Sequence, residues 1–526
     1  MHFNSKNLPG IVLGLFLLLS LVPMSSNAQD PTLRHPAAGP VSGQIEANGA
    51  LSWRGIPYAK PPVGDLRWKA PRPAPIRKET LAATNFGAYC MQMGQPMMDV
   101  DPSQYGKAVG SEDCLLLNIW APEGAGAELS GLPVMVWLHG GSNVGGSGSF
   151  YNGAYLAAQQ NVIVITVNYR LGVFGWFSHP ALREAAETPL DKSPNFGTLD
   201  TILALEWVRD NIAAFGGNAA NVTLFGESAG AMNTMTLLYS PPAAGLFHKA
   251  IMQSGSLRQT PVEVAENHTT DDRSEFSSSE TAAKLLLNRG LADSREAARD
   301  QVATMDYPAV QELLNSASGE ELVATYTPDI AAAIRAPQII PDDIVVPSGQ
   351  PWELIAEAGR VHQVPIMLGS NRDEMKFFMG LNPAYVTIVP GKEIRIHDLE
   401  RYNLHARYLS DRWTALGVDE LATRLGRHNP NIFAYRFDWD EQPSYPQADF
   451  KEFFGAGHAM ELPFLFNDFA GMPVFALHFT EQNRPGREQL ATAMGDYWGQ
   501  FAWSGEPGRG RSGELSAWPR WGEGNK

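Results

Sequence analysis

A serine set between two glycines, with strand-like residues before it and helix-compatible residues after it, is the most chemically suggestive feature of the chain. Gly226-Glu227-Ser228-Ala229-Gly230 follows the apolar stretch Asn221–Phe225 and precedes Ala231–Leu238. A strand-to-helix turn this tight leaves no room for Cβ atoms beside the serine. The spacing therefore predicts an elbow that lifts the Ser228 hydroxyl above a sheet and sets it at a helix N-terminus. A serine hydroxyl needs a base to become a nucleophile, and attack on a carbonyl needs donors for the oxygen that gains charge. Leu138-His139-Gly140-Gly141-Ser142-Asn143, continued by Gly145-Gly146, follows the apolar run Pro133–Leu138. Consecutive glycines let backbone N–H groups converge on one point, as an oxyanion hole requires.

The elements that must position these groups are legible as short, wholly apolar runs: Pro133–Leu138, Val162–Val167, Val222–Phe225, Ala250–Met252 and Val364–Leu368. Runs apolar on both faces suit central strands of a covered, largely parallel sheet. Leu199–Phe215 has helical spacing (Leu203, Leu205, Val208, Ile212) and stops at Gly216-Gly217. Gln44–Trp53 alternates around Asn48-Gly49 and predicts a hairpin. Strand, helix and strand in alternation predict an α/β fold with a central, mostly parallel sheet and flanking helices. From about 257 to 347 the texture shifts to Ser, Glu and Asp around Asp271–Glu280, with helical patterns at Ala282–Leu287 and Val310–Leu314. This predicts a largely helical insertion, serving as a lid, inside a single domain over 29–526.

The 526 residues carry a net charge of −16, with 44% hydrophobic and 18% charged residues. That composition describes a folded protein with a large core, and its acidity argues against a nucleic-acid partner. Residues 1–28 read as a signal peptide: Lys6 precedes the apolar run Ile11–Val22, 12 residues long, and small residues end at Ala28. The run is too short to span a bilayer, so export to periplasm or medium without a stable membrane anchor is expected. Export would make one disulfide between Cys90 and Cys114, the whole cysteine complement, the default, with two buried thiols as the alternative. Closing such a loop contributes roughly 3.5 kcal/mol in the chain-entropy model.

Four further blocks carry a resemblance: Arg54-Gly55-Ile56-Pro57-Tyr58-Ala59-Lys60-Pro61-Pro62-Val63-Gly64, Ser111-Glu112-Asp113-Cys114-Leu115, Asn168-Tyr169-Arg170-Leu171-Gly172 and Phe215-Gly216-Gly217-Asn218. Together with the elbow and the glycine run, they resemble the signature blocks of the type-B carboxylesterases, which include bacterial para-nitrobenzyl-type esterases and the cholinesterases. The resemblance implies an α/β-hydrolase fold with Ser228 as nucleophile. It implies an acid at Glu374 in Gly369-Ser370-Asn371-Arg372-Asp373-Glu374, with Asp373 as runner-up because Met375 stands where the family often has glycine. It implies a base at His458 in Gly455-Ala456-Gly457-His458-Ala459-Met460-Glu461-Leu462-Pro463. The implied oxyanion donors are the N–H groups of Gly141, Ser142 and Ala229. Ser142 departs from the family's commoner glycine or alanine, and Asn143 from its usual aromatic, which bears on the shape of the substrate pocket. Two supporting roles are also implied: Ser254 hydrogen-bonding the acid, and Glu227 setting the field around His458. Cys90 and Cys114 match the family's first disulfide.

The expectation is therefore an exported serine hydrolase that cleaves small carboxylic esters through an acyl-enzyme. No metal or cofactor is implied, since no ligand set such as His-Glu-x-x-His occurs. The competing readings are a specialised lipase, polyester or toxin esterase, an amidase, and a non-catalytic binding protein on the same fold. Of two sequons, Asn221-Val222-Thr223 falls on an expected core strand, which makes it a poor glycosylation acceptor, and Asn267-His268-Thr269 lies in the insertion.

Overall fold

Nine strands of the computed structural model form one sheet, and they take their places from the apolar runs of the sequence. The structure describes residues 30–523 apart from 97, 99, 269–274, 327–335, 390–392 and 447. The expected signal peptide, Thr269 of the second sequon and parts of the expected insertion lie outside the described residues. Thr32–Lys526 forms one unit.

The sheet strands, in chain order, are β1 (Gln44–Ile45), β2 (Leu51–Pro57), β3 (Leu116–Ala121), β4 (Leu132–Leu138), β5 (Ile163–Val167), β6 (Gly217–Glu227), β7 (Lys249–Gln253), β8 (Ile366–Asn371) and β9 (Ile432–Phe437). Their spatial order is β9-β8-β7-β6-β4-β5-β3-β2-β1. The six strands from β9 to β5 pair in parallel, with Phe225 level with Trp137 and Ile251, and Met367 level with Phe433. From β5 outward the pairing turns antiparallel through β3, β2 and β1. The β1–β2 pair is the expected hairpin, turning at Gly49 with φ +85°. The antiparallel pairing of β3 with β2 and β5 has no signal in the sequence, because β3 is a short run that gives no sign of strand direction.

The period of two along each strand divides the core between the two faces. Val134, Val136 and Leu138 of β4 pack with Leu224, Met252 and Leu368 on one side. There they meet α2 (Phe196–Asn211) and α3 (Ala229–Tyr239) through Leu203, Val208, Met235 and Leu238. Met135 and Trp137, with Phe225, Ile251 and Met367, face the opposite side, toward α1 (Ala154–Gln160) and Met494, Trp498 and Phe501 of a long C-terminal helix, Arg484–Ser504. Helix α2 ends through a short 3-10 turn at Gly216, whose φ of +87° is the left-handed stop that its Gly-Gly sequence predicts.

Between β7 and β8 the chain leaves the sheet and builds several described helices, among them α4 (Ser278–Asn288), α5 (Arg295–Thr304), α6 (Tyr307–Asn315) and α7 (Gly319–Val323). Ser277, Ser294, Asp306 and Ser318 each cap one of these four by accepting an N–H from the first turn. Their apolar faces form a separate cluster with Trp68, Phe174 and Phe177. Cys90 and Cys114 are disulfide-bonded, with Cα atoms 4.9 Å apart.

Candidate active site

The carboxyl ends of adjacent parallel strands are where a sheet of this kind gathers its loops, and every expected reactive group lies in a loop that leaves such an end. The first follows β6. Ser228 sits there with φ +57° and ψ −118°, a backbone conformation that L residues rarely adopt, and its N–H bonds the Gln253 carbonyl at 2.9 Å. The neighbouring glycines are required by contact. A Cβ on Gly226 would lie 2.5 Å from the Gly230 carbonyl carbon, and one on Gly230 would collide with the Leu138 carbonyl oxygen. Helix α3 starts at the next residue, Ala229.

The loop after β4 wraps over this elbow. Gly140 approaches so closely that a Cβ on it would meet Glu227 Oε2 at 2.7 Å and Ser228 Cβ at 3.2 Å. Gly141, Ser142 and Asn143 all have positive φ. Among the described residues, the N–H groups of Gly141, Ser142 and Ala229 donate to no protein acceptor. The loop is held from several directions. Ser142 O accepts from Gln338 Nε2 at 2.7 Å, and Gln92 exchanges two bonds with Gly146 at 2.8 and 2.9 Å. The Tyr169 hydroxyl donates to His139 O at 2.5 Å, its ring stacked 4.3 Å from the His139 ring. Asn143 turns into the protein, where its amide pairs reciprocally with that of Asn233 on α3 at 2.9 and 3.2 Å. Two blocks of the sequence resemblance thereby gain a physical role. Tyr58 donates to Asn168 O at 2.6 Å, and Arg170 is locked to Asp200 by a buried two-pronged ion pair at 2.8 and 2.9 Å.

Glu374 and His458 arrive from the loops after β8 and β9. Glu374, wholly buried, sets Oε2 2.5 Å from His458 Nδ1, and its other oxygen accepts the Asn371 N–H at 2.7 Å. Asp373, the alternative acid, points elsewhere: its carboxylate takes Arg372 and the Ala456 N–H. Ser254, expected to bond the acid, does not. Its Oγ is buried without a partner among the described residues, because the turn ending β7, at φ +52°, puts the side chain on the wall of a cavity. The Asn371 backbone bonds the acid in its stead.

Glu227 Oε1 stands 3.0 Å from His458 Nε2, at ion-pair distance but without hydrogen-bond alignment. Burial pushes the Glu227 carboxyl up to about 8, with His458 drawing it down and Glu461 and Glu374 pushing it further up. Burial alone would lower His458, but Glu227, Glu374 with its hydrogen bond, and Glu461 outweigh it and hold the imidazole at about 9. Glu461 has no role in the sequence reading. It lies fully buried behind the histidine, accepting Asn371 Nδ2 at 2.6 Å and Gln253 Nε2 at 3.2 Å. A carboxylate among Met460, Leu462 and Phe464 was its only signal, since such a charge must find donors. Phe378 and Trp413 cover the imidazole, their rings 5.0 and 5.2 Å from it. Both rings, with Ser142, Ser228, Ala229 and Ser254, line a cavity of about 650 Å³. No group of three or more metal-ligating side chains occurs among the described residues, and no helix there is long and apolar enough to cross a membrane.

A model of the carboxylesterase family matches residues 29–403 and 393–526. The chain is 34% identical over 512 residues to the para-nitrobenzyl esterase of Bacillus subtilis (strain 168), covering 92% of this chain and 91% of that one. It is 31% identical to the fumonisin B1 esterase of Sphingopyxis macrogoltabida, covering 98% and 89%. Among solved structures, a PNB esterase superposes with a TM-score of 0.68 at 31% identity, and a Geobacillus stearothermophilus carboxylesterase with 0.68 at 30%, each covering 93% of both chains.

Proposed function

The chain belongs to the carboxylesterase family and is a carboxylic ester hydrolase, and on that premise we propose that it cleaves small esters through an acyl-enzyme formed on Ser228. The observation that carries the reading is the 2.5 Å contact between Glu374 Oε2 and His458 Nδ1, made beside an elbow that presents Ser228 to a cavity. With the Nδ1 proton donated to Glu374, Nε2 is the free base. It takes the Ser228 proton as Oγ bonds the ester carbonyl carbon, and Glu374 stabilises the imidazolium that results. The carbonyl oxygen becomes an oxyanion held by the N–H groups of Gly141, Ser142 and Ala229, each worth about 2.7–4 kcal/mol. Collapse breaks the ester C–O bond, and the alcohol leaves with the proton from Nε2. Water then attacks the acyl carbonyl, gives its proton to Nε2, and the acid departs as Ser228 recovers its proton.

Ser228→Ala tests this directly. The variant should keep the wild-type circular dichroism and lose roughly 10⁴-fold or more of its kcat on a chromogenic short-acyl ester. Hydrolysis at the wild-type rate would end the proposal.

Export belongs to the same reading. Residues 1–28 act as a signal peptide, 29–526 as one catalytic domain, and the helices between β7 and β8 as a lid. The Cys90–Cys114 disulfide supports an oxidising compartment. The intact mass of protein recovered from the producing cell's envelope or medium should correspond to a chain starting at Gln29. A mass that retains Met1–Ala28 would contradict it.

A further inference from the structure

Two arginines that are also exposed to solvent, Arg258 and Arg412, line the 650 Å³ cavity, and no carboxylate residue does. This is unexpected in a chain of net charge −16. Several arginines elsewhere meet acids: Arg67 pairs with Glu112, Arg170 with Asp200 and Arg183 with Glu266. Neither cavity arginine has a side-chain hydrogen bond or an ion pair among the described residues. The acid preceding Arg412 in sequence, Asp411, faces Arg407 instead. Arg412 lies in the last turn of the helix Leu399–Thr414, where the dipole favours a cation. That argument does not reach Arg258, which sits on the loop leaving β7. Neighbouring protein lowers the Arg258 pKa by desolvation. The same cavity is lined by Ser254, whose buried hydroxyl lacks a partner among the described residues, and by Trp413, which covers His458.

We propose that Arg258 and Arg412 recognise a free carboxylate on the substrate, so that the preferred esters are acidic ones, either half-esters of polycarboxylic acids or esters of carboxylate-bearing alcohols. The planar fork of arginine matches a carboxylate in two-pronged geometry. This deepens the acyl-enzyme reading and rests on it, since the cavity is the one into which Ser228 opens.

Two matched pairs test it and separate the acyl from the alcohol side. The first is para-nitrophenyl hydrogen adipate against para-nitrophenyl hexanoate. The second is para-carboxyphenyl hexanoate against phenyl hexanoate. For wild type, the kcat/KM ratio of acidic over neutral ester should exceed about 10 in at least one pair. It should fall roughly tenfold in Arg258→Met and in Arg412→Met and about 100-fold in the double variant, as expected for charge-assisted bonds. Lysine at either position should retain part of the ratio. Because it is a ratio, any loss of folded enzyme cancels. Turnover of neutral esters with a ratio near one in both pairs, or a ratio unmoved by the double substitution, overturns the arginine assignment alone. Absence of turnover on all four esters overturns the acyl-enzyme reading and this one with it.

Discussion

Three carboxylates surround one imidazole, and their different surroundings divide the work. Glu374 is tied to Nδ1 and to the Asn371 N–H, which suits it to fix the tautomer. Glu227 faces Nε2, the nitrogen that must be free to accept a proton. Glu461 accepts amide N–H groups from Asn371 and Gln253. A negative charge 3.0 Å from Nε2 favours the imidazolium, so Glu227 raises the pH at which His458 becomes a base. Removing that charge has a definite sign. In Glu227→Gln the acidic limb of the pH profile of kcat/KM should move to lower pH, because the imidazole gives up its proton more readily. The plateau kcat should fall, because the imidazolium formed in the transition state loses a stabilising neighbour. A limb that stays in place or moves up would show that Glu227 is neutral throughout and acts only by packing. At this scale the elbow was legible, since its glycines answer a local steric demand. The resemblance implied Glu227 beside His458, but the place of Glu461 was not legible, because its contacts join residues such as Gln253 and Glu461 that only the fold brings together.

Among the elements, the loop after β4 is the one whose shape the chemistry needs most and whose own sequence holds least. Gly140, Gly141, Gly145 and Gly146 impose little conformation, and Ser142 and Asn143 are held at positive φ. Rigidity comes from outside: Gln338 on the Ser142 carbonyl, Asn233 on Asn143, and Gln92 on both polar groups of Gly146. Gln92 stands two residues after Cys90, and its amide also donates to the Cys90 carbonyl at 3.0 Å. The disulfide therefore braces the loop that carries the proposed oxyanion donors. Gln92→Leu keeps the bulk and deletes both bonds to Gly146. Its kcat should drop roughly 10-fold, and at most about 100-fold, as misplaced donors do, with a smaller effect on KM. An unchanged kcat would mean the loop holds its shape without this brace. Strands such as β4 and β6 were legible because a run apolar on both faces allows few alternatives. Asn143 misled for the same reason that it matters: an amide in place of an aromatic ring suggests a reshaped pocket, whereas its pairing with Asn233 takes it out of the pocket wall.

For the whole molecule, the depth of the core sets a limit on acid tolerance. His139, His179 and His478 are all buried, and burial holds them at about 4, about 4 and about 3, so each stays neutral in the folded state near pH 5. His139 and His179 spend Nδ1 on local backbone bonds, at 2.8 Å to Gly140 O and 3.1 Å from Ala181 N. His478 has no such compensation: its Nδ1 lacks a partner among the described residues, and Phe450 and Phe454 crowd it with ring centroids 4.8 Å away. In the unfolded chain each of these histidines takes up a proton near pH 6.5. Below that pH the unfolded state binds more protons, so the stability these groups contribute is present above about 6.5 and drains away as pH falls toward the folded value. The buried acids oppose this in part. Glu227, held up to about 8, keeps its proton in the fold where the unfolded chain has lost it. The contribution of one histidine is therefore best isolated by substitution. His478→Leu replaces the imidazole with an apolar group of similar size in an aromatic surround. Urea unfolding followed between pH 6 and pH 4 should show a free energy that falls less steeply in the variant, by about 1.4 kcal/mol per pH unit. Parallel curves for the two proteins would mean that His478 is protonated in the folded state, and the aromatic cluster around it would then have to accommodate a charge.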